Sequence, residues 1–196
     1  MNRPAEDYPT PELCRRIELI VLDTDGVLTD GRVTYSASGE ELQTFHVRDG
    51  SGMKYWKRVG KKLAIISGRG SAALARRAEE LDVDALRMQI KRKKPVYAEV
   101  LAKLGATPET TAVLADDLTD LPMLTRCALP VAVADAVPEV LAVADYVTRA
   151  AGGAGAVREL IEMICRRAGT WENVLQRYRD DSAKPIGLVE AGEDGP

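Results

Sequence analysis

Asp23 and Asp25 stand one residue apart in the stretch Ile20-Val21-Leu22-Asp23-Thr24-Asp25-Gly26-Val27-Leu28-Thr29-Asp30-Gly31. Two carboxylates this close repel unless a cation or a shared proton lies between them. The pair therefore points either to a metal site or to an acid/base pair. An ordinary Asp-Gly turn after a strand is the competing reading. The preceding apolar run, Ile17 to Leu22 broken only by Glu18, reads as a buried strand. Strand alternation sends positions i and i+2 to one side, and Gly26 permits a sharp turn directly after them. In an open α/β sheet, ligands sit beyond the carboxyl ends of the strands, which is where both aspartates would be delivered.

Other apolar strands end in the same kind of residue. Leu63-Ala64-Ile65-Ile66 runs into Ser67-Gly68-Arg69, and Thr111-Ala112-Val113-Leu114-Ala115 runs into Asp116-Asp117. A basic run, Lys91-Arg92-Lys93-Lys94, lies between them. Together these fit phosphoryl transfer. An aspartate can attack phosphorus, and a second acid can protonate the leaving oxygen and later activate water. Magnesium takes one or two carboxylates plus phosphate oxygens. A hydroxyl and a lysine can hold the remaining oxygens as charge spreads.

The chain that must position these groups alternates strands and helices, which predicts a parallel sheet with helices on both faces. Arg32–Tyr35 and Glu41–Phe45 read as two strands joined by the hairpin loop Ser36–Gly39, a flap beside the aspartates. Asp49-Gly50-Ser51-Gly52 reads as a connection into a helix over Met53–Val59. Further helices are expected over Ser71–Leu81, Pro95–Leu104 and Leu160–Arg167, with Pro95 tolerated in a first turn. Short strands are expected near Ala85–Met88, Leu129–Ala134 and Tyr146–Val147. No internal repeat is visible, and the tail after Arg179 is polar enough to be disordered.

At 196 residues, 45% hydrophobic and 29% charged, the chain fits one globular domain. No apolar run approaches membrane-span length. The first twelve residues lack a signal-peptide core, so a cytoplasmic protein with no membrane partner is expected. Cys14, Cys127 and Cys165 are odd in number and scattered, unlike a disulfide framework or a zinc site. Of the formal charge of −3, all falls after residue 170, so nothing suggests nucleic-acid binding.

Asp23-Thr24-Asp25-Gly26-Val27-Leu28-Thr29, Ser67, Lys93 and Asp116-Asp117 resemble, in order, the four motifs of the haloacid dehalogenase superfamily of phosphatases. The closest resemblance is to the 3-deoxy-D-manno-octulosonate 8-phosphate (KDO 8-phosphate) phosphatase family, a capless branch. It is carried by Thr29-Asp30-Gly31, Val47-Arg48-Asp49-Gly50, Ile66-Ser67-Gly68-Arg69, Asp116-Asp117-Leu118-Thr119-Asp120, Ala144-Asp145-Tyr146-Val147-Thr148 and Gly152-Gly153-Ala154-Gly155-Ala156-Val157-Arg158-Glu159. The match runs from about residue 17 to 168, which leaves an N-terminal extension (1–16) and a C-terminal helix and tail (169–196). The resemblance implies a Rossmann-like parallel sheet with a small β-hairpin flap and no large cap domain. It also implies magnesium, a small anionic sugar phosphate as substrate, a homotetramer with subunit-shared sites and a place in lipopolysaccharide sugar synthesis.

By the same resemblance, Asp23 is the nucleophile and a magnesium ligand. Asp25 is the general acid/base and offers its backbone carbonyl to the metal. Asp116 is the third ligand, with Asp117 and Asp120 in support. Ser67 and Lys93 bind the transferring phosphoryl group, with Lys94 the competitor to Lys93. His46, Val47, Arg48, Asp49, Gly50, Lys54, Arg69 and Arg77 face the substrate. Arg158 is a candidate for anchoring the glycine-rich segment or meeting the substrate's anionic end, and that segment is a candidate for closing a neighbouring site. The sequence departs from the family pattern at Ala115 and at Gln89-Ile90, where glycine is usual, at His46, where asparagine is commoner, and at Lys54, where arginine is commoner. Two other readings compete: a nine-carbon sialic-type sugar phosphate as substrate, and a catalytically idle oligomerisation module. Plain structural roles compete at single residues. His46 is the only histidine, and Tyr55, Trp56, Cys127 and Cys165 read as packing residues.

Overall fold

The structure is a computed structural model that describes residues 8–179. Among the described residues, eight strands and eight α-helices follow one another. They are α1 (Pro11–Arg16), β1 (Leu19–Leu22), β2 (Thr34–Tyr35), β3 (Glu41–Leu42), α2 (Val47–Arg58), β4 (Lys62–Ile66), α3 (Ala72–Glu80), β5 (Ala85–Arg87), α4 (Lys93–Leu104), β6 (Thr111–Ala115), α5 (Leu121–Leu124), β7 (Leu129–Ala132), α6 (Pro138–Val143), β8 (Tyr146–Val147), α7 (Ala156–Ala168) and α8 (Trp171–Arg179). Six strands form one sheet in the order β5-β4-β1-β6-β7-β8. Every pairing within it is parallel.

The strand order reverses at β1. The next sheet strand in sequence, β4, lies on one side, and β6 opens the other half. Such a switch point leaves a crevice beyond the carboxyl ends of the two central strands. Register brings those ends level, because Leu22 pairs with Ile65 of β4 and with Leu114 of β6. β1 and β6 are buried along their whole length. This explains why they read as unbroken apolar runs rather than alternating ones.

Helix α7 is the element on which three other helices converge. Its buried residues Ala156, Val157, Leu160, Ile161, Ile164 and Cys165 form one helical stripe, against which α1 and α2 pack. Leu13 and Cys14 of α1, and Trp171 and Val174 of α8, belong to the same buried core. The flap is the two-stranded antiparallel ribbon β2-β3, with Thr34 paired to Leu42 and Tyr35 to Glu41.

Three helices begin earlier than the sequence predicts, α4 by two residues, at Lys93 rather than Pro95. Helix α2 starts at Val47, so Asp49-Gly50-Ser51-Gly52 is helical rather than a connection. His46 caps it, accepting from Arg48 N at 3.2 Å through Nδ1. Its two glycines sit in close quarters: a Cβ at Gly50 would displace the Arg77 guanidinium, and one at Gly52 would press on Arg158. Helix α7 starts at Ala156, four residues before the predicted Leu160. Gly155 gives it no side-chain cap. Asp49 supplies one from α2 instead, accepting from Arg158 N at 2.8 Å. The flap strands and β7 are shorter than predicted, and the polar tail after Arg179 lies outside the described residues.

Candidate active site

The loop after β1 is wound around one carbonyl. Thr24 O accepts from the amides of Val27, Leu28 and Thr29 at 3.3, 2.9 and 3.1 Å. Gly26 takes φ +82, a left-handed conformation that favours glycine. A Cβ at Gly26 would also overlap the Asp116 carboxylate. One glycine thus turns the chain and lets Asp116, from β6, approach the β1 aspartates. Gly152 and Gly153 back this loop: Gly153 N donates to Val27 O at 2.9 Å, and a Cβ at Gly152 would overlap Gly26 O. The glycine-rich stretch is therefore a close-packed brace for the chain's own aspartate loop, not a loose lead into α7.

Asp23 is buried, and Lys93 Nζ lies 2.7 Å from its Oδ1. The same ammonium lies 2.8 Å from Asp120 Oδ1. The ammonium donates to Asp120 Oδ1 and is ion-paired with Asp23 Oδ1. Lys93 is the first residue of α4 and only 3% exposed, whereas Lys94 faces solvent. Carboxylate oxygens of Asp23, Asp116 and Asp120 lie within 4.8 Å of one another. Burial first, then the charges of Asp23 and Asp117, push the Asp116 carboxyl up to about 7. Burial and the Asp23 charge raise Asp120 as well. Lys93 is held above its ordinary value despite burial, because Asp23 and Asp120 flank it. Burial and the neighbouring Asp23 raise Asp25.

Three clustered carboxylates share one ammonium, and the buried Asp116 Oδ1 has no hydrogen-bond partner. This surplus of hard oxygen donors fits a divalent cation of the magnesium type. The cavity that Asp23 and Asp116 line, about 310 Å³, is completed by Asp25, Gly31, Gly68, Arg69, Lys93, Asp117 and Thr119. A larger groove of about 410 Å³ beside Tyr8, Arg16, Glu109 and Arg126 carries no such cluster.

Ser67 is fully buried at the end of β4, its Oγ accepting from Arg69 N at 3.3 Å. Of the predicted substrate-facing residues, Arg69 lines the aspartate cavity. Val47 and Arg77 line a separate groove with Phe45 and Arg76. Arg48 and Lys54 are exposed on α2. His46 and Asp49 serve as helix caps, and Gly50 is packed under Arg77. Arg158 pairs with Glu162 at 2.6 Å and stacks 4.6 Å from the Tyr55 ring centroid. It thereby anchors α7 to α2.

Sequence reasoning missed Glu41 and Gln43. Glu41 accepts from Arg69 at 2.8 Å, and Gln43 contacts Asp25 at 3.4 Å. Polar residues two apart at the end of the flap, on one side of a strand, were the available signal.

A parallel sheet with its switch point at β1, an aspartate pair at that strand's end, a buried lysine and a second acidic pair after β6 define a haloacid dehalogenase-like hydrolase. The family model of that description matches residues 91–160. The chain is 41% identical over 153 residues to the 3-deoxy-D-manno-octulosonate 8-phosphate phosphatase KdsC of Escherichia coli (strain K12), covering 78% of this chain and 81% of that one. Among solved structures, a probable YrbI family phosphatase from Pseudomonas syringae pv. phaseolica superimposes with a TM-score of 0.84 at 40% identity, covering 87% of this chain and 97% of that one. The Moraxella catarrhalis 3-deoxy-D-manno-octulosonate 8-phosphate phosphatase, in complex with magnesium, phosphate and KDO, superimposes with a TM-score of 0.83 at 33% identity, covering 86% and 97%. The chain belongs to the KDO 8-phosphate phosphatase family of haloacid dehalogenase-like hydrolases.

Proposed function

We propose that the protein is a magnesium-dependent phosphomonoesterase that hydrolyses KDO 8-phosphate to KDO and phosphate. The observation that carries the chemistry is the switch-point cluster, with Lys93 Nζ 2.7 Å from Asp23 and the Asp116 and Asp120 carboxylates beside them. An Asp23 carboxylate oxygen attacks phosphorus while the bond to the sugar oxygen breaks. Asp25 gives that oxygen its proton. Water then attacks phosphorus of the aspartyl-phosphate, Asp25 takes back a proton, and Asp23 is released. Lys93 and Ser67 hold the oxygens of the transferring group. Asp23, Asp116 and the Asp25 carbonyl would hold magnesium, which supplies positive charge opposite the phosphoryl oxygens. Asp120 keeps Lys93 extended toward Asp23.

The substrate assignment is supported by the KdsC relatives and by the KDO complex of the Moraxella catarrhalis protein. Within one chain, seven of the eight predicted substrate contacts (His46, Val47, Arg48, Asp49, Gly50, Lys54 and Arg77) lie outside the aspartate cavity. A homotetramer in which a neighbouring flap or α2 completes the site accounts for them. The exposed apolar side chains Val33, Tyr35, Leu42 and Val47 on and beside the flap suit such burial. Free cysteines at Cys14, Cys127 and Cys165 suit a reducing, cytoplasmic setting. Light scattering on the full chain tests the assembly.

Phosphate release across a panel of sugar phosphates, with KDO 8-phosphate and a nine-carbon sugar 9-phosphate included, tests the function. KDO 8-phosphate is expected to have the highest kcat/KM. Asp23→Asn is expected to abolish release while the fold is kept, because a neutral amide is a poor nucleophile. Release by Asp23→Asn at the wild-type rate sinks the aspartyl-phosphate route.

A further inference from the structure

Glu41 and Gln43 sit two residues apart at the end of β3, so their side chains leave the flap on one side. Both reach toward Asp25. Glu41 Oε2 accepts from Arg69 Nη2 at 2.8 Å, and Arg69 Nε lies 4.0 Å from Asp25 Oδ2, too far for a hydrogen bond. Gln43 Nε2 donates to Asp25 Oδ1 at 3.4 Å, and Gln43 Oε1 accepts from Ser71 Oγ at 2.6 Å. Ser71 is the N-cap of α3, its Oγ accepting from Leu74 N at 2.9 Å.

Asp25 and the start of α3 together set which way the Gln43 amide points. The Ser71 hydroxyl has one proton, and the Leu74 N–H already donates into one of its lone pairs. Oγ keeps a second lone pair, so Ser71 accommodates either amide orientation; the Asp25 carboxylate only accepts, which turns the Gln43 NH₂ to Asp25 and its oxygen to the Ser71 hydroxyl proton. We infer that Gln43 is a positioning residue for Asp25, held in place by the Ser71 cap of α3. This rests on the proposed function, since it matters only if Asp25 transfers a proton. With Oδ1 tied to the amide, Oδ2 is the oxygen that carries and exchanges the proton. Small misplacements of a reacting group, on the order of 1 Å, can cost about 10²-fold in rate.

The test compares phenyl phosphate with p-nitrophenyl phosphate, using the full chain with magnesium. Neither substrate carries a sugar for Gln43 to bind, and the poorer leaving group, phenolate, depends more on protonation. The readout is kcat/KM, which reports the step that expels the leaving group. Gln43→Leu is expected to lose roughly tenfold more on phenyl than on p-nitrophenyl phosphate. Ser71→Ala is expected to shift the ratio in the same direction, and Ser71→Thr, which keeps the hydroxyl, to restore it. If Gln43→Leu does not fold, as judged by thermal unfolding, Gln43→Met and Ser71→Ala carry the comparison. Equal losses on both substrates, or no loss, overturn the inference. Asp25→Asn is measured alongside: if it keeps full turnover, the proposed function fails and the inference with it. If it loses turnover while the Gln43 variants show no leaving-group dependence, only the inference fails.

Discussion

Lys93 and Lys94 are chemically identical neighbours, and the fold gives them opposite lives. Lys93 is enclosed between Asp23 and Asp120, while Lys94 points to solvent. A helix start separates adjacent side chains by about 100°, so only one of the two can face the crevice. Lys93→Ala is expected to lower kcat on the order of 10²–10³-fold, since it removes a preorganised charge facing the transferring group. Lys94→Ala is expected to match wild type in phosphate release. The Asp23-Thr24-Asp25-Gly26 stretch, the lysine run and Asp116-Asp117 were legible because each sits where an apolar run stops. Gln43 and the capping role of Asp49 were not. Their partners are 18 and 109 residues away, and no local pattern records such contacts.

At the scale of elements, the alternation of apolar runs with helical segments made the central sheet readable, with β6 and β8 matching residue for residue. The start of α2 was not readable, because Asp-Gly-Ser-Gly carries strong loop signals that packing overrides. Its glycines lie against the Arg77 guanidinium and Arg158 and do not turn the chain. Gly152 belongs to the same class. It has no need of a left-handed backbone, yet a Cβ there meets the Gly26 carbonyl and the Thr29 backbone. Neither neighbour can move without shifting the loop that carries Asp25. Gly152→Ala is therefore expected to destabilise the fold by about 1–3 kcal/mol, the usual range for overpacking. It should also reduce turnover in protein that remains folded. Urea unfolding and phosphate release on the same samples check this, and a variant with wild-type midpoint and rate rules out the brace.

Considered as a whole molecule, the fold concentrates unfavourable charge at its centre. Topology forces the ends of β1 and β6 together, and both end in aspartates. A carboxyl raised in the folded state binds its proton more tightly there than in the unfolded chain. Asp116, raised to about 7 by burial and by Asp23 and Asp117, therefore contributes stability that is complete below its unfolded value. That contribution is lost as pH rises through its folded one. Metal-free protein should accordingly become less stable between about pH 4 and pH 7 on account of this group. Magnesium reverses the situation, since a cation bound to the folded state alone stabilises it by mass action, about 2.7 kcal/mol at a hundredfold excess over Kd. For a chain of this size that corresponds to a rise in Tm of roughly 5–10 °C. Asp116→Asn separates the two effects. It removes a repelling charge and a ligand together, so the metal-free variant should melt above metal-free wild type at pH 7 and gain little from magnesium. Chelation should stop phosphate release by wild type, and added magnesium should restore it. Thermal unfolding of both proteins with chelator and with magnesium decides the matter: an Asp116→Asn variant that melts lower without metal, or responds to magnesium as wild type does, removes Asp116 from the cation site.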